Sequence, residues 1–295
     1  MGRYKDLTYE AKLKAFKELA KEIASEGADE KDVVKIVPLS ESSHEALERL
    51  KNPDQLDGYS TGYEKLDKLI GGFANGEIIV IGAATGIGKT QFAQSLIMNL
   101  AFNSVPVLFF TLEMSRVETT IRFMRMIKSK CDGDVLTQLP IYYQDCENVN
   151  LKILEESIRQ GIEKGVKIVF IDHLHFFSRS VENQSAEIGI ITQQFKLLAR
   201  KYNVPIVYIS HLRKMNNPNK KPELDDFRDS SFIAQDADIA LMLWRKPDDR
   251  NETCRRTTRC YIRKSRRRDM GITAYYLDRN YYLQEVEYDP QDDDF

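Results

Sequence analysis

Cysteine is scarce in this chain of 295 residues: four residues, at 131, 146, 254 and 260, with no C-x-x-C pair among them. That spacing excludes a zinc ribbon and argues for reduced, ordinary thiols rather than a disulfide framework. Long apolar runs are lacking too. The stretches 78–84 and 105–110 fall far short of the roughly 20 residues that a membrane-spanning helix needs. The opening MGRYKDLTYEAKLK has no apolar block before a small-residue cleavage site, so no export signal is expected. Asp6 stands where the lipidation pattern after Met1-Gly2 wants Ser or Thr. Acid is missing from one segment altogether: residues 254–268, CRRTTRCYIRKSRRR, hold eight basic side chains and no carboxylate. The last eleven residues are the reverse, rich in acid and ending on Phe295. The net charge of −2 hides this segregation, which predicts one strongly positive surface and a negative tail.

With 42% apolar and 30% charged residues, the chain reads as soluble and globular, long enough for one large α/β domain and a small appendage. Residues 8–26 place Tyr9, Leu13, Phe16, Ala20 and Ile23 at helical spacing before Gly27. A second short helix is expected from Ser42, with Glu45 completing a capping box. Neither makes a core, so residues 1–56 are expected to form a helical arm. From 57 to 287 the pattern becomes strands alternating with helices. Apolar, β-branched runs fall at 77–82, 105–112, 166–172, 204–211 and 238–244, with helical stretches at 90–103, 115–130, 150–164 and 185–202. This predicts a mostly parallel twisted sheet covered by helices on both faces. Alternating runs beyond 257 predict antiparallel edge strands, and 288–295 an acidic tail.

The stretch IIVIGAATGIGKTQFAQSLI reads as a buried strand, a glycine-rich loop and a helix. Gly86 and Gly88 let the backbone curl its N–H groups inward toward phosphate oxygens; Lys89 brings charge to the β- and γ-phosphates, and Thr90 a hydroxyl for Mg²⁺. The expected nucleotide-binding set is Ala83, Ala84, Thr85, Gly86, Ile87, Gly88, Lys89, Thr90 and Gln91. The strict P-loop pattern wants Gly at 83, and this chain has Ala there with Gly82 one position early. Asp172 closes the strand VKIVFID at the carboxyl edge of the sheet, where ligands bind in open α/β folds, and is expected to hold the metal. Glu113, ending FFTLE, reads equally as a capping carboxylate and as a group that orients an attacking water. His211 ends a fourth strand; a lone histidine is usually a structural hydrogen-bonder, yet three polar residues at three strand ends converge.

Taken together these motifs resemble the RecA-like helicase domain of the DnaB family of hexameric replicative helicases over about 57–286. STGYEKLDKLIGGFANGEIIVIGAATGIGKT is similar to the run that leads into its phosphate loop. FFTLEMS resembles the second motif, which implies Glu113 as catalytic base, and IVFIDHLHFF the metal-aspartate motif, which implies Asp172. VPIVYISHLRK with DDFRDSSFIAQDADIALMLWR resembles the third motif and its downstream signature, and IRKSRRRDMGITAYYLD the fourth. His211 in place of the bacterial Gln, and the departure from Gly at 83, resemble the helicase halves of phage primase-helicases and their mitochondrial relative.

The resemblance implies an RecA-like P-loop core that hydrolyses ATP or another NTP or dNTP with Mg²⁺ and moves 5′ to 3′ on single-stranded DNA as a homo-hexameric ring. Lys264 and Arg266 fall on the K-x-R of the fourth motif. Arg266 and Arg245 are the expected fingers inserted into a neighbour's site, and Arg267 and Arg268 candidates for DNA contact. The loops 178–188 and 213–221 would line the channel, with Arg213, Lys214, Lys220 and Lys221 on phosphates. Helix 8–26 would join the ring by reaching a neighbour or fold back on its own domain. The acidic tail is expected to meet a polymerase or other replisome protein, and priming to come from another protein. The setting implied is cytoplasmic, in a host's cytoplasm for a phage-encoded chain, with an organelle open and no membrane partner. Two rivals share the loop: a RadA-type recombination ATPase, and a nucleotide-switched assembly protein or helicase loader.

Overall fold

The computed structural model describes residues 38–51, 55–127, 133–144, 148–178, 184–213, 217, 219–227, 231–246 and 256–288. The expected helix over 8–26, residues 289–295 of the acidic tail, Lys214 and three of the four cysteines lie outside them. The chain divides into two compact units, Met1–Pro53 and Asp54–Phe295.

The first unit contributes one described helix, α1 (Ser40–Lys51). It starts two residues ahead of the expected Ser42. The Ser42 and Ser43 hydroxyls donate back to the carbonyls of Leu39 (3.2 Å) and Ser40 (2.9 Å), so Ser42 lies inside the first turn instead of capping it.

The second unit runs α2 (Glu64–Ile70), β1 (Ile78–Ala83), α3 (Lys89–Phe102), β2 (Val107–Thr111), α4 (Arg116–Ile127), β3 (Ile141–Tyr143) and α5 (Leu151–Glu163). It continues through β4 (Ile168–Asp172), α6 (Gln184–Tyr202), β5 (Ile206–His211), α7 (Ser231–Asp236), β6 (Ile239–Trp244), β7 (Thr257–Ser265), β8 (Gly271–Leu277) and β9 (Leu283–Val286). They build one nine-stranded sheet in the order β3-β2-β4-β5-β1-β6-β7-β8-β9. The first six are parallel and β7 to β9 are antiparallel, as the pattern beyond 257 leads one to expect.

Both faces are covered. Along β1 the period of two sends Ile79 and Ile81 into a cluster with Phe92, Leu96 and Phe123 from α3 and α4. Ile78 and Val80 point the other way, into a cluster with Ile158 of α5 and Ile191 and Phe195 of α6. A strand buried on both faces needs the unbroken apolar run that β1 has. The sequence pattern misses α2, β3 and α7, which have seven, three and six residues: too short for either periodicity to register.

Candidate functional site

The parallel register brings the expected residues to one edge. Ala83 pairs with His211 on one side and Leu243 on the other, and Asp172 pairs with Thr111, two residues before Glu113. All these strands end together, so the residues after them surround a cleft of about 480 Å³. Thr85, Gly86, Gly88, Lys89, Thr90 and Gln91 line it from the loop, and Glu113 and His211 from the strand ends.

Gly86 (φ 83°) and Gly88 (φ 102°) take up the left-handed backbone that the curl requires. The departure at 83 has a simple cause. Ala83 is still extended strand, so its Cβ costs nothing there. A Cβ on Gly82 would come within 2.7 Å of the Phe227 ring and 3.0 Å of the Met242 sulfur.

Lys89 is buried and donates to the carbonyls of Ala83 (3.0 Å) and Ala84 (3.1 Å). Burial pulls its ammonium below the usual lysine range, opposed by the charges of Asp172 and Glu113. Asp172 is 3% exposed. Burial pushes its carboxyl up to about 6, against a hydrogen bond from Thr90 and the nearby cations Lys89 and Arg122. Its Oδ1 has no hydrogen-bond partner among the described residues. A buried carboxylate oxygen left open beside a hydroxyl is a hard-oxygen donor set, which fits Mg²⁺. His211 sits in a ring cluster, 4.7 Å from His173 and 5.8 Å from His175 between centroids. Burial lowers the His173 imidazole from its ordinary value, and the neighbouring His175 adds to this.

Arg245, expected as a finger for a neighbour, lies against this chain's own loop, donating to Ile87 O (3.0 Å) and Thr258 Oγ1 (2.8 Å). β6 is parallel to β1 and delivers its last residues to the same edge, so Arg245 is a cation of the chain's own cleft. Burial lowers its pKa, and the nearby Arg256 adds to this.

Lys264 and Arg266 lie on the opposite edge. Lys264 pairs with Ala240, near the start of β6, and the Arg266 backbone N–H donates to Asp238 O at 3.1 Å. The strand rise places Arg266 about 16 Å below the level of Ala83. Lys264 donates to Ala234 O (2.7 Å) and Gln235 O (2.8 Å). Neither serves the cleft of its own chain.

Within 254–268, where one strongly positive surface is expected, the described cations from 256 onward each have partners in this chain. β7 distributes its cations to separate partners. Arg256 donates to Leu277 O and Asp278 O, Arg263 pairs with Glu223, and Arg259 is buried over the Trp244 ring. Arg267, foreseen as a DNA contact, bonds Glu77 twice (2.6 and 2.9 Å) and Asp57 (2.7 Å); Arg268 bonds Asp57 (3.2 Å) and Gln55 O (2.6 Å). The planar guanidinium fork fits these carboxylates, so both arginines are structural cross-links.

Of the loop cations, Arg213 and Lys220 are exposed and Lys221 half-buried. Lys220 pairs with Asp226 at 3.1 Å. The loop is pinned at its base, where Leu212 bridges Phe227 and the Arg213 N–H donates to Asp226 O. His211 is thus the last strand residue before this closed loop.

The cleft also has members no motif announced: Arg122 and Arg125 from α4, and a wall of Leu277, Tyr281 and Leu283 from the antiparallel strands. The Gln91 amide holds the Tyr281 carbonyl. Arg122 and Arg125 sit three apart on one helix just after Glu113, a spacing that could have flagged them. The wall comes from some 190 residues downstream and has no local signal.

Comparison with known proteins follows the same lines. The family described as DnaB-like helicase C terminal domain matches over residues 58–135 and 126–283. A replicative DNA helicase DnaB of Rickettsia conorii is 31% identical over 262 residues, covering 76% of this chain and 53% of that protein. The DnaB of Treponema pallidum is 32% identical over 249 residues, covering 76% and 55%. The chain spans about half the length of these curated relatives. A solved DnaB-like replicative helicase, described with its interactions with primase, superposes with a TM-score of 0.74 at 22% identity, over 92% of this chain and 71% of that one. A solved ATPase domain gives 0.78 at 23%, over 86% and 100%. The fold is RecA-like.

Proposed function

The chain belongs to the DnaB-like helicase C terminal domain family, and we propose that it is the motor of a replicative DNA helicase, hydrolysing ATP or another nucleoside triphosphate as a ring on single-stranded DNA. One observation carries this reading: Lys89, Glu113, Thr90 and His211 line one cleft beside Asp172, whereas Lys264 and Arg266 stand at the other edge of the sheet. A cation so placed completes the site of another copy, not its own.

In the filled cleft the loop N–H groups and Lys89 bind the triphosphate, Lys89 leaving the carbonyls of Ala83 and Ala84. Thr90 and Asp172 would hold Mg²⁺, which neutralises charge on the β- and γ-phosphates. Glu113 takes a proton from the attacking water as the water oxygen bonds to the γ-phosphorus and the bridging oxygen leaves with the diphosphate. His211 senses the γ-phosphate and passes its loss to the pinned loop, where Arg213, Lys214, Lys220 and Lys221 grip DNA phosphates without regard to sequence. Arg266 and Lys264 of the adjacent copy stabilise the developing charge, and Arg245 acts within its own cleft. Six copies, 5′ to 3′ movement, a helical arm over 1–56, a motor domain over 57–287, an acidic tail at 288–295 that binds a replisome partner, and a cytoplasmic setting complete the reading.

The test is hydrolysis with and without single-stranded DNA, beside Arg266→Ala. A motor is stimulated by DNA and collapses without Arg266. A loader-type switch shows neither response, and that result removes the proposal. A recombination ATPase is stimulated but does not displace a strand from a forked duplex.

A further inference from the structure

Arg266 is half exposed at the end of β7, with its side chain 49% accessible. A long cation in that setting ordinarily samples many rotamers, freedom that must be lost whenever it performs a directed task. Here it is already held. Its Nη1 faces Asp238 Oδ1 at 3.3 Å, its Nη2 donates to Gln235 O at 3.3 Å, and its backbone N–H donates to Asp238 O at 3.1 Å.

Asp238 in turn has no freedom. It is 3% exposed, and its Oδ2 accepts from the Ile78 N–H at 2.8 Å and from the Lys196 ammonium. Its own backbone N–H donates to Ile78 O at 2.9 Å. Asp238 therefore grips Ile78, the first residue of β1, with main chain and side chain at once. The other end of the same strand carries Ala83, whose carbonyl accepts from Lys89 in the cleft. A fully buried central strand moves as a unit, so a displacement of the loop reaches Asp238 and, one contact later, Arg266.

We propose that Asp238 is a positioning residue that aims Arg266 at the neighbouring copy and ties that aim to the nucleotide state of its own cleft. The inference rests on the reading of Arg266 as a cation supplied between copies. It differs from a purely structural role for the Asp238–Lys196 pair, which predicts a loss of stability with turnover unchanged.

The experiment is steady-state hydrolysis by the full chain on single-stranded DNA. Asp238→Asn keeps an oxygen for the Ile78 N–H and removes the charge that holds Arg266. The expected result is a fall in kcat of about tenfold to 10²-fold, in line with the cost of small misplacement of a catalytic group. KM for the nucleotide stays within about twofold, because no cleft residue changes. The double variant Asp238→Asn/Arg266→Ala should be no worse than Arg266→Ala alone, since one acts through the other. Full kcat in Asp238→Asn, or losses that multiply in the double variant, overturns the inference while leaving the motor reading intact. An Arg266→Ala variant with normal turnover sinks both. If Asp238→Asn fails to fold, Asp238→Asn/Lys196→Met removes the buried pair without leaving an unmatched charge, and the same kcat and KM criteria apply to it.

Discussion

Asp172 and Asp238 stand at opposite edges of the same sheet, and both are only 3% exposed. At the lower edge Asp238 has both oxygens engaged, by Ile78 N–H, Lys196 and Arg266. At the upper edge Asp172 has an oxygen with no partner among the described residues, and burial drives its carboxyl up to about 6. A buried charge whose partners the chain itself supplies holds those partners in place; a buried charge left wanting is reserved for something that binds. The same contrast separates Arg267, clamped by two carboxylates, from Arg245, whose Nε finds no partner among the described residues beside the cleft.

The sharpest way to break this comparison is at Arg266. Arg266→Ala should reduce DNA-stimulated hydrolysis by about 10³–10⁵ if the lower edge serves a neighbouring copy. Mixing the variant with a Lys89→Ala partner should restore part of the rate, because each supplies what the other lacks; turnover assays on the mixture decide. Glu113→Gln should cost about 10²–10⁴ and leave nucleotide binding, read by fluorescence titration, near normal.

Asp172→Asn tests the upper edge in both directions at once. Hydrolysis should be lost, yet the metal-free protein should become more stable. The Asp172 carboxyl is raised in the fold, so its ionised form costs about 3 kcal/mol at any pH above 6. That cost is relieved as pH falls from about 6 toward 3.8, where the folded chain takes up a proton before the unfolded one does. Urea melts in chelator should therefore show Asp172→Asn ahead of the parent at pH 8, with the gap closing toward pH 4. A constant gap, or a less stable variant, would contradict the account of a reserved site.

At the structural arginines the effect is smaller and opposite in kind. Arg267→Ala removes the cation bonded to Glu77 and leaves Asp57 with Arg268 alone, and should cost about 2 kcal/mol, discounted for partial exposure. DNA affinity should not change. Smallest of all is Lys220→Ala. Its exposed pair with Asp226 is worth under about 1 kcal/mol, but the slope of log affinity for DNA against log salt should drop by about 1. An unchanged slope would remove Lys220 from the DNA contacts.

The upper edge was largely readable from residues in order. Lys89, Glu113, Asp172 and His211 each end or follow a run whose apolar continuity marks a buried parallel strand, and such strands finish at a common edge. Arg245 was readable as the residue that closes a strand, but that it lines the cleft of its own chain follows from strand direction, which no motif position gives. The Leu277, Tyr281 and Leu283 wall was not readable, since nothing local links those residues to Gln91.

The basic segment shows where the division falls. Composition determined that β7 carries a run of cations, and glycine spacing, apolar periodicity and strand order determined a loop, a sheet and their sequence, because each depends on neighbours within a few residues. Where those cations end up was decided by pairing. Ala240 faces Lys264 while Leu241 faces Ile262, so β7 contains one extra residue at Arg263. A single added residue turns every later side chain to the other face. That bulge, and the distant carboxylates Asp57, Glu77 and Asp238, sort Arg266 to Asp238 and Arg267 to Asp57 and Glu77, a choice that exists only once the strands are laid side by side.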